Sequence, residues 1–117
     1  ADDEYTPAVY NDPELTKRLV GVWKRALGED AVIRVQPVMG GEDFSRYGRV
    51  KPPVPICLFW LGTVEPAQLE QAKGSKRRLP SLHSPHFLPA IHPTIETGVV
   101  AMATAVMGLL TPPSPAK

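Results

Sequence analysis

The chain has little of several things that would narrow its function. Cys57 is the one cysteine among 117 residues, so no internal disulfide can form and no oxidising compartment is indicated. No sign of charge dominates: thirteen Lys and Arg against twelve Asp and Glu leave a net charge of +1. That balance offers no general attraction to nucleic acid or to an anionic membrane. Aromatic residues make up 7% of the chain, and none is interleaved with the basic residues Lys73, Lys76, Arg77 and Arg78. The basic stretch therefore lacks the stacking platform of a single-strand-binding surface and reads as a solvated loop. The first residues, Ala1-Asp2-Asp3-Glu4-Tyr5, have no apolar signal core. The longest apolar stretch, Val99 to Leu110, reads as too short to span a bilayer, which takes about 20 residues. No Gly-rich phosphate loop, nucleophile elbow or paired-cysteine zinc motif is present. The expectation is a soluble protein, cytoplasmic or periplasmic, with neither a nucleic-acid nor a membrane partner.

What is present is an ordinary globular composition, 43% hydrophobic and 21% charged, with fourteen prolines that argue for loop-rich connections. Asn11-Asp12-Pro13-Glu14 is a helix start: a capping side chain, a proline near the first turn and an acid facing the dipole. Leu15, Leu19, Val22, Trp23 and Ala26 follow at helical spacing, and Gly28 reads as the C-terminal cap. Val32 to Val35 reads as a short strand. Met39-Gly40-Gly41-Glu42-Asp43-Phe44 reads as a strand-to-helix turn whose glycines allow unusual backbone angles. Val54 to Gly62, apolar almost throughout, reads as a strand buried on both faces, with Cys57 an inert thiol inside it. Thr63 to Ser81 reads as a polar surface loop, and Leu82-His83 as a short extended piece ending at Ser84-Pro85. A last helix opens at His92-Pro93-Thr94, with His92 as its cap. It runs through Ile95, Val99, Met102, Val106 and Leu109/Leu110, and its small residues permit close packing against a sheet. The order of elements is an α/β pattern. Its strands are too few to cover one another, so the segment reads as part of a larger sheet or as a chain that needs a partner.

The residues with metal or acid–base chemistry are His83, His86, His92, Glu42, Asp43 and Glu96. His83 and His86 are separated by a proline and do not share a helical face; by spacing alone they are a weak metal signal. Three stretches in order are more specific: the Met39 to Ser45 turn, the Val54-Pro55 to Leu61-Gly62 run, and Leu82-His83-Ser84-Pro85. Together they resemble the closing segment of the aminoacylase/hippurate hydrolase family of metallopeptidases, which includes carboxypeptidase G-type proteins. Pro7, Asn11-Asp12-Pro13 and Thr97-Gly98-Val99 also fit, so the resemblance covers nearly the whole chain.

The resemblance implies an α/β fold, in which residues 1–111 form the C-terminal segment of a three-layer αβα zinc-peptidase-like catalytic domain and residues 112–117 a flexible tail. It implies a metal-dependent amidohydrolase that cleaves the amide bond of N-acyl amino acids or small peptides at a two-metal site holding zinc or manganese. His83 is then the last metal ligand. Gly40, Gly41 and Glu42 line the substrate pocket, where backbone N–H groups hold a carboxylate or the reacting carbonyl oxygen; equally, Glu42 and Asp43 cap the short helix. No catalytic residue falls in this segment, because the general base and the other ligands belong to earlier regions, so the segment alone is expected to be inactive. The implied partners are the substrate, the remainder of the catalytic domain and a second subunit held through a lid domain. The alternative is a non-catalytic small α/β module that binds a protein through a sheet edge or the basic loop.

Overall fold

The computed structural model describes residues 5–40, 42–75 and 78–111. Among the described residues there are three α-helices, α1 (Pro13–Leu27), α2 (Pro66–Lys73) and α3 (Ile91–Leu110), with 3-10 segments at Glu29–Ala31 and Asp43–Arg49. The chain divides into two compact units, Ala1–Phe59 with Ala101–Lys117, and Trp60–Val100.

In the first unit α1 forms where its local signals place it. The Asp12 carboxylate accepts from the Leu15 N–H at 2.8 Å, and Pro13 occupies the first turn, where its missing N–H costs nothing. At the other end Gly28 takes φ 103°, a conformation open to glycine, while its N–H bonds to the Lys24 carbonyl at 3.0 Å. Leu19 and Trp23 are the buried residues of α1; they meet Ala101 and Ala105 of α3, with Cys57 and Phe59 packed alongside. Trp23 tilts against Phe59 with ring centroids 4.6 Å apart, and its indole N–H donates to the Ala101 carbonyl at 2.8 Å. That bond disposes of the one polar atom of an otherwise apolar side chain. Gly108 lets α3 come close, since a Cβ there would lie 2.8 Å from a Val22 methyl. Arg18 finishes the contact by donating to the carbonyls of Gly108, Leu109 and Thr111 at the end of α3.

The expected α/β architecture, a piece of a three-layer αβα sandwich, is not what this chain forms. No strand occurs among the described residues. Val32 to Val35 and Val54 to Gly62 have no ladder, because a strand persists only when a neighbour takes up its backbone groups, and these segments do not pair. The second run borrows a substitute from the head of α1. The Asn11 carboxamide donates to the Leu58 carbonyl at 2.7 Å and accepts from the Leu58 N–H at 2.8 Å, while the Asp12 N–H donates to the Ile56 carbonyl at 2.9 Å. One side-chain amide thus plays the part of a neighbouring strand's peptide group. Expected to be buried on both faces, the run has no buried residue, and Cys57 is half-buried with the Thr16 hydroxyl 3.6 Å from its sulfur.

The second unit contains α2, which the expected loop from Thr63 to Ser81 did not anticipate. Every described residue of α2 except Ala72 is exposed, so nothing periodic marked it. The Ala90 N–H bonds to the Thr63 carbonyl at 2.8 Å and closes the base of the excursion between them. Leu61 packs on Gly98, where a Cβ would lie 3.1 Å from its methyl. No described residue of this unit is buried.

Helix α3 runs 20 residues and so is longer than the apolar stretch that seemed too short to cross a membrane. By length and composition it is long and apolar enough to do so. Its large residues also point the wrong way for a core helix. Ile95, Val99, Met102 and Val106 are all more than half exposed, while the buried positions are Ala101 and Ala105.

Candidate metal ligand and turn

His83 sits on a turn and not on an extended piece. The Ser84 N–H bonds to the Ser81 carbonyl at 2.9 Å, which makes Leu82 and His83 the two central residues. A second turn follows without a break: the Phe87 N–H bonds to the Ser84 carbonyl at 3.0 Å, with Pro85 at the position where its fixed φ is favoured. The Ser84 hydroxyl also accepts from the His86 N–H at 3.2 Å. Two fused turns, a proline and a serine cap therefore hold the backbone on the C-terminal side of His83. Its own side chain is exposed and has no hydrogen-bond partner among the described residues. A neutral imidazole presented in this way retains a ring nitrogen free to act as a donor.

Among the described residues His83 has no companion ligands nearby. No group of three His, Cys, Asp or Glu able to hold a metal ion occurs among the described residues. Its surroundings fit one donor of a shared site and exclude a site built from these residues alone, since three or four ligands are needed. His86 is likewise exposed, and His92 lies inside the first turn of α3 and not at its cap.

The Gly40 to Phe44 turn belongs to the first unit, and His83 to the second. Glu42 is the N-cap of the Asp43–Arg49 segment: its carboxylate accepts from the Phe44 N–H at 3.0 Å. One of the N–H groups proposed for a substrate carboxylate is thus occupied by the chain's own acid. Gly40 has neither a positive φ nor a neighbour within 4 Å of where a Cβ would stand, so its backbone is bare and open. Gly41, the third residue assigned to the pocket, and the tail 112–117 lie outside the described residues.

Ser45, the last residue of the Met39 to Ser45 stretch, was given no role in the sequence reading. It is 2% exposed, its hydroxyl has no partner among the described residues, and it lines a cavity of about 320 Å³ with Tyr10, Asp12 and Arg49. A serine following a Phe in a short helix gives no sign that it will be buried.

Comparison with known proteins decides what the turn and the histidine belong to. Residues 2–107 match the description of peptidase family M20/M25/M40. The chain belongs to this family. An N-acetyldiaminopimelate deacetylase from Limosilactobacillus fermentum is 43% identical over 68 residues, which are 58% of this chain and 16% of that protein. A probable hydrolase from Synechocystis is 35% identical over 100 residues, 85% of this chain and 22% of its own length. An uncharacterised hydrolase from Sinorhizobium fredii is 33% identical over 60 residues, 51% of this chain and 14% of that protein. The chain therefore spans about a fifth or less of the curated relatives it matches. No solved structure matches it. Membership in the M20 family bears out the resemblance read from the three stretches; the family's members are generally hydrolases that depend on divalent metal.

Proposed function

We propose that this M20 chain contributes to a metal-dependent amidohydrolase acting on N-acyl amino acids or small related amides, and that His83 is one of its metal ligands. The observation that carries this reading is the exposed, unpartnered imidazole of His83, held beside two fused turns within the residues matched to the family. The substrate class is supported by the relative named for removing an acetyl group from diaminopimelate, an N-acyl amino acid.

The metal ion, zinc or manganese, would polarise the amide carbonyl and activate water for the hydrolysis. This chain's own contribution is narrower. His83 supplies a ring nitrogen from a backbone position held on its C-terminal side by the turns at Ser84 and Pro85. Gly40 leaves its backbone accessible to a substrate, and the Glu42 carboxylate fixes the start of the short helix that carries the turn onward. The Glu42 carboxylate is engaged by the Phe44 N–H, and this reading assigns the general base to the remainder of the catalytic domain, so the chain by itself is expected to be inactive. The test is metal analysis of the complete hydrolase with a screen of N-acyl amino acids. Bound zinc or manganese with amide hydrolysis supports the reading; a hydrolase that is fully active after exhaustive chelation contradicts it.

A further inference from the structure

The cavity beside Ser45 lies entirely within the first unit, where three segments meet. The Asp12 N–H bonds to the Ile56 carbonyl at 2.9 Å, which fixes the lead into α1 against the run containing Ile56. Ile56 in turn lies on Gly48, where a Cβ would stand 3.0 Å from its terminal methyl. Arg46 donates to the Tyr5 carbonyl at 3.1 Å and ties the short helix to the start of the same lead. The three segments enclose about 320 Å³, within the range of about 300–1,000 Å³ that holds small molecules. Its polar groups are unspent. The Ser45 hydroxyl is buried without a partner, and Arg49 and the Tyr10 hydroxyl have none among the described residues. One Asp12 oxygen accepts from the Leu15 N–H, which leaves the other free. Residues 53–56 add an apolar wall.

We infer that this cavity binds a free aliphatic α-amino acid. Arg49 and Asp12 carry opposite charges on one cavity, yet they form no ion pair with each other. A ligand bearing both charges satisfies both. Its carboxylate takes the Arg49 guanidinium, with the Ser45 and Tyr10 hydroxyls as further donors, and its ammonium takes the free oxygen of Asp12. A side chain of a few carbons then lies against the apolar wall at residues 53–56. A simple anion fits less well because Asp12 repels it, and a metal ion fits less well because Arg49 does. The buried Ser45 hydroxyl is the group most costly to leave unpaired, so a ligand that reaches it gains most there. The ligand is read from the lining alone and depends neither on the hydrolase reading nor on any role for His83.

The test titrates the 117-residue chain with L-leucine and follows its backbone amide resonances by NMR. Saturable shifts are expected at Tyr10, Ser45, Gly48 and Arg49, at millimolar ligand or below. N-acetyl-L-leucine lacks the ammonium and L-leucine methyl ester lacks the carboxylate; each should bind at least about tenfold more weakly, as loss of a charged contact does. Arg49→Gln and Asp12→Asn should each weaken L-leucine by at least about the same factor, and asparagine keeps the cap on α1. Ser45→Ala should weaken it as well, and circular dichroism shows which variants are folded. Three outcomes overturn the inference: no saturable shifts at these residues, equal binding of either blocked leucine, and unchanged affinity in any folded variant. The blocked leucines need no substitution, so the test stays decisive should a variant fail to fold. The hydrolase reading predicts the opposite preference, for the N-acyl compound, at a metal site this chain does not complete, so the two readings fail separately.

Discussion

The two units of this chain are held together by different means. The unit of Ala1–Phe59 and Ala101–Lys117 contains all of the described buried side chains, with Leu19, Trp23, Ala101 and Ala105 as its apolar core. The Trp60–Val100 unit has none, and is organised by turns, the Thr63–Ala90 hydrogen bond and an exposed helix. The turn bearing Gly40 and Glu42 is thus attached to a small core, whereas the candidate ligand His83 is carried by turn hydrogen bonds, those of the backbone and that of the Ser84 hydroxyl. Rigidity in the first region comes from packing, and in the second from turn chemistry. A ligand loop of the second kind reaches its final stiffness only when a metal or another part of the protein engages it.

This contrast can be broken from either side. The largest effect is expected at Trp23, whose ring meets Phe59 and whose indole N–H serves the Ala101 carbonyl. Trp23→Ala should cost about 3–5 kcal/mol and abolish the cooperative thermal transition followed by circular dichroism. Asn11→Ala comes next, at about 2 kcal/mol, because both backbone groups of Leu58 lose their partner. Hydrogen exchange should then rise at Leu58 and leave the His83 turns unchanged. In the second unit Ser84→Ala removes the acceptor for the His86 N–H. In the complete hydrolase it should weaken metal binding about tenfold with little change in melting temperature, as the loss of a group that steadies a ligand does. The smallest effect belongs to the exposed Lys73–Glu70 pair at 2.7 Å, whose loss in Lys73→Ala should shift stability by less than about 1 kcal/mol in urea unfolding.

What the sequence disclosed follows the same division between local and distant causes. The start and end of α1 were legible because Asp12, Pro13 and Gly28 act within a few residues of themselves. The short helix after Glu42 was legible for the same reason. The apolar runs at Val32 and Val54 signalled a need for burial, but whether such a run becomes a strand depends on a neighbour, and no described segment supplies one. Helix α2 escaped notice because it buries no face and so shows no period. In α3 the small residues were read as the face that packs against a sheet; they do make the close contacts, but Ala101 and Ala105 meet Leu19 and Trp23 of α1 with Phe59 alongside, and Gly108 meets Val22. His83 could not be read as a ligand from spacing, since its partners are not nearby in sequence. The ordered resemblance of three stretches pointed to it, and that resemblance is what the M20 match bears out.

The central claim is that His83 is a metal ligand of the complete hydrolase. The most direct measurement is metal content per polypeptide, with activity on an N-acyl amino acid, for the unmodified enzyme and for His83→Ala. The account predicts that the variant keeps the unmodified melting behaviour in the metal-free form, loses bound zinc or manganese, and falls in activity by more than about 100-fold, beyond what loss of a group that only steadies a ligand produces. A variant that holds the same metal content and hydrolyses at the unmodified rate would contradict it.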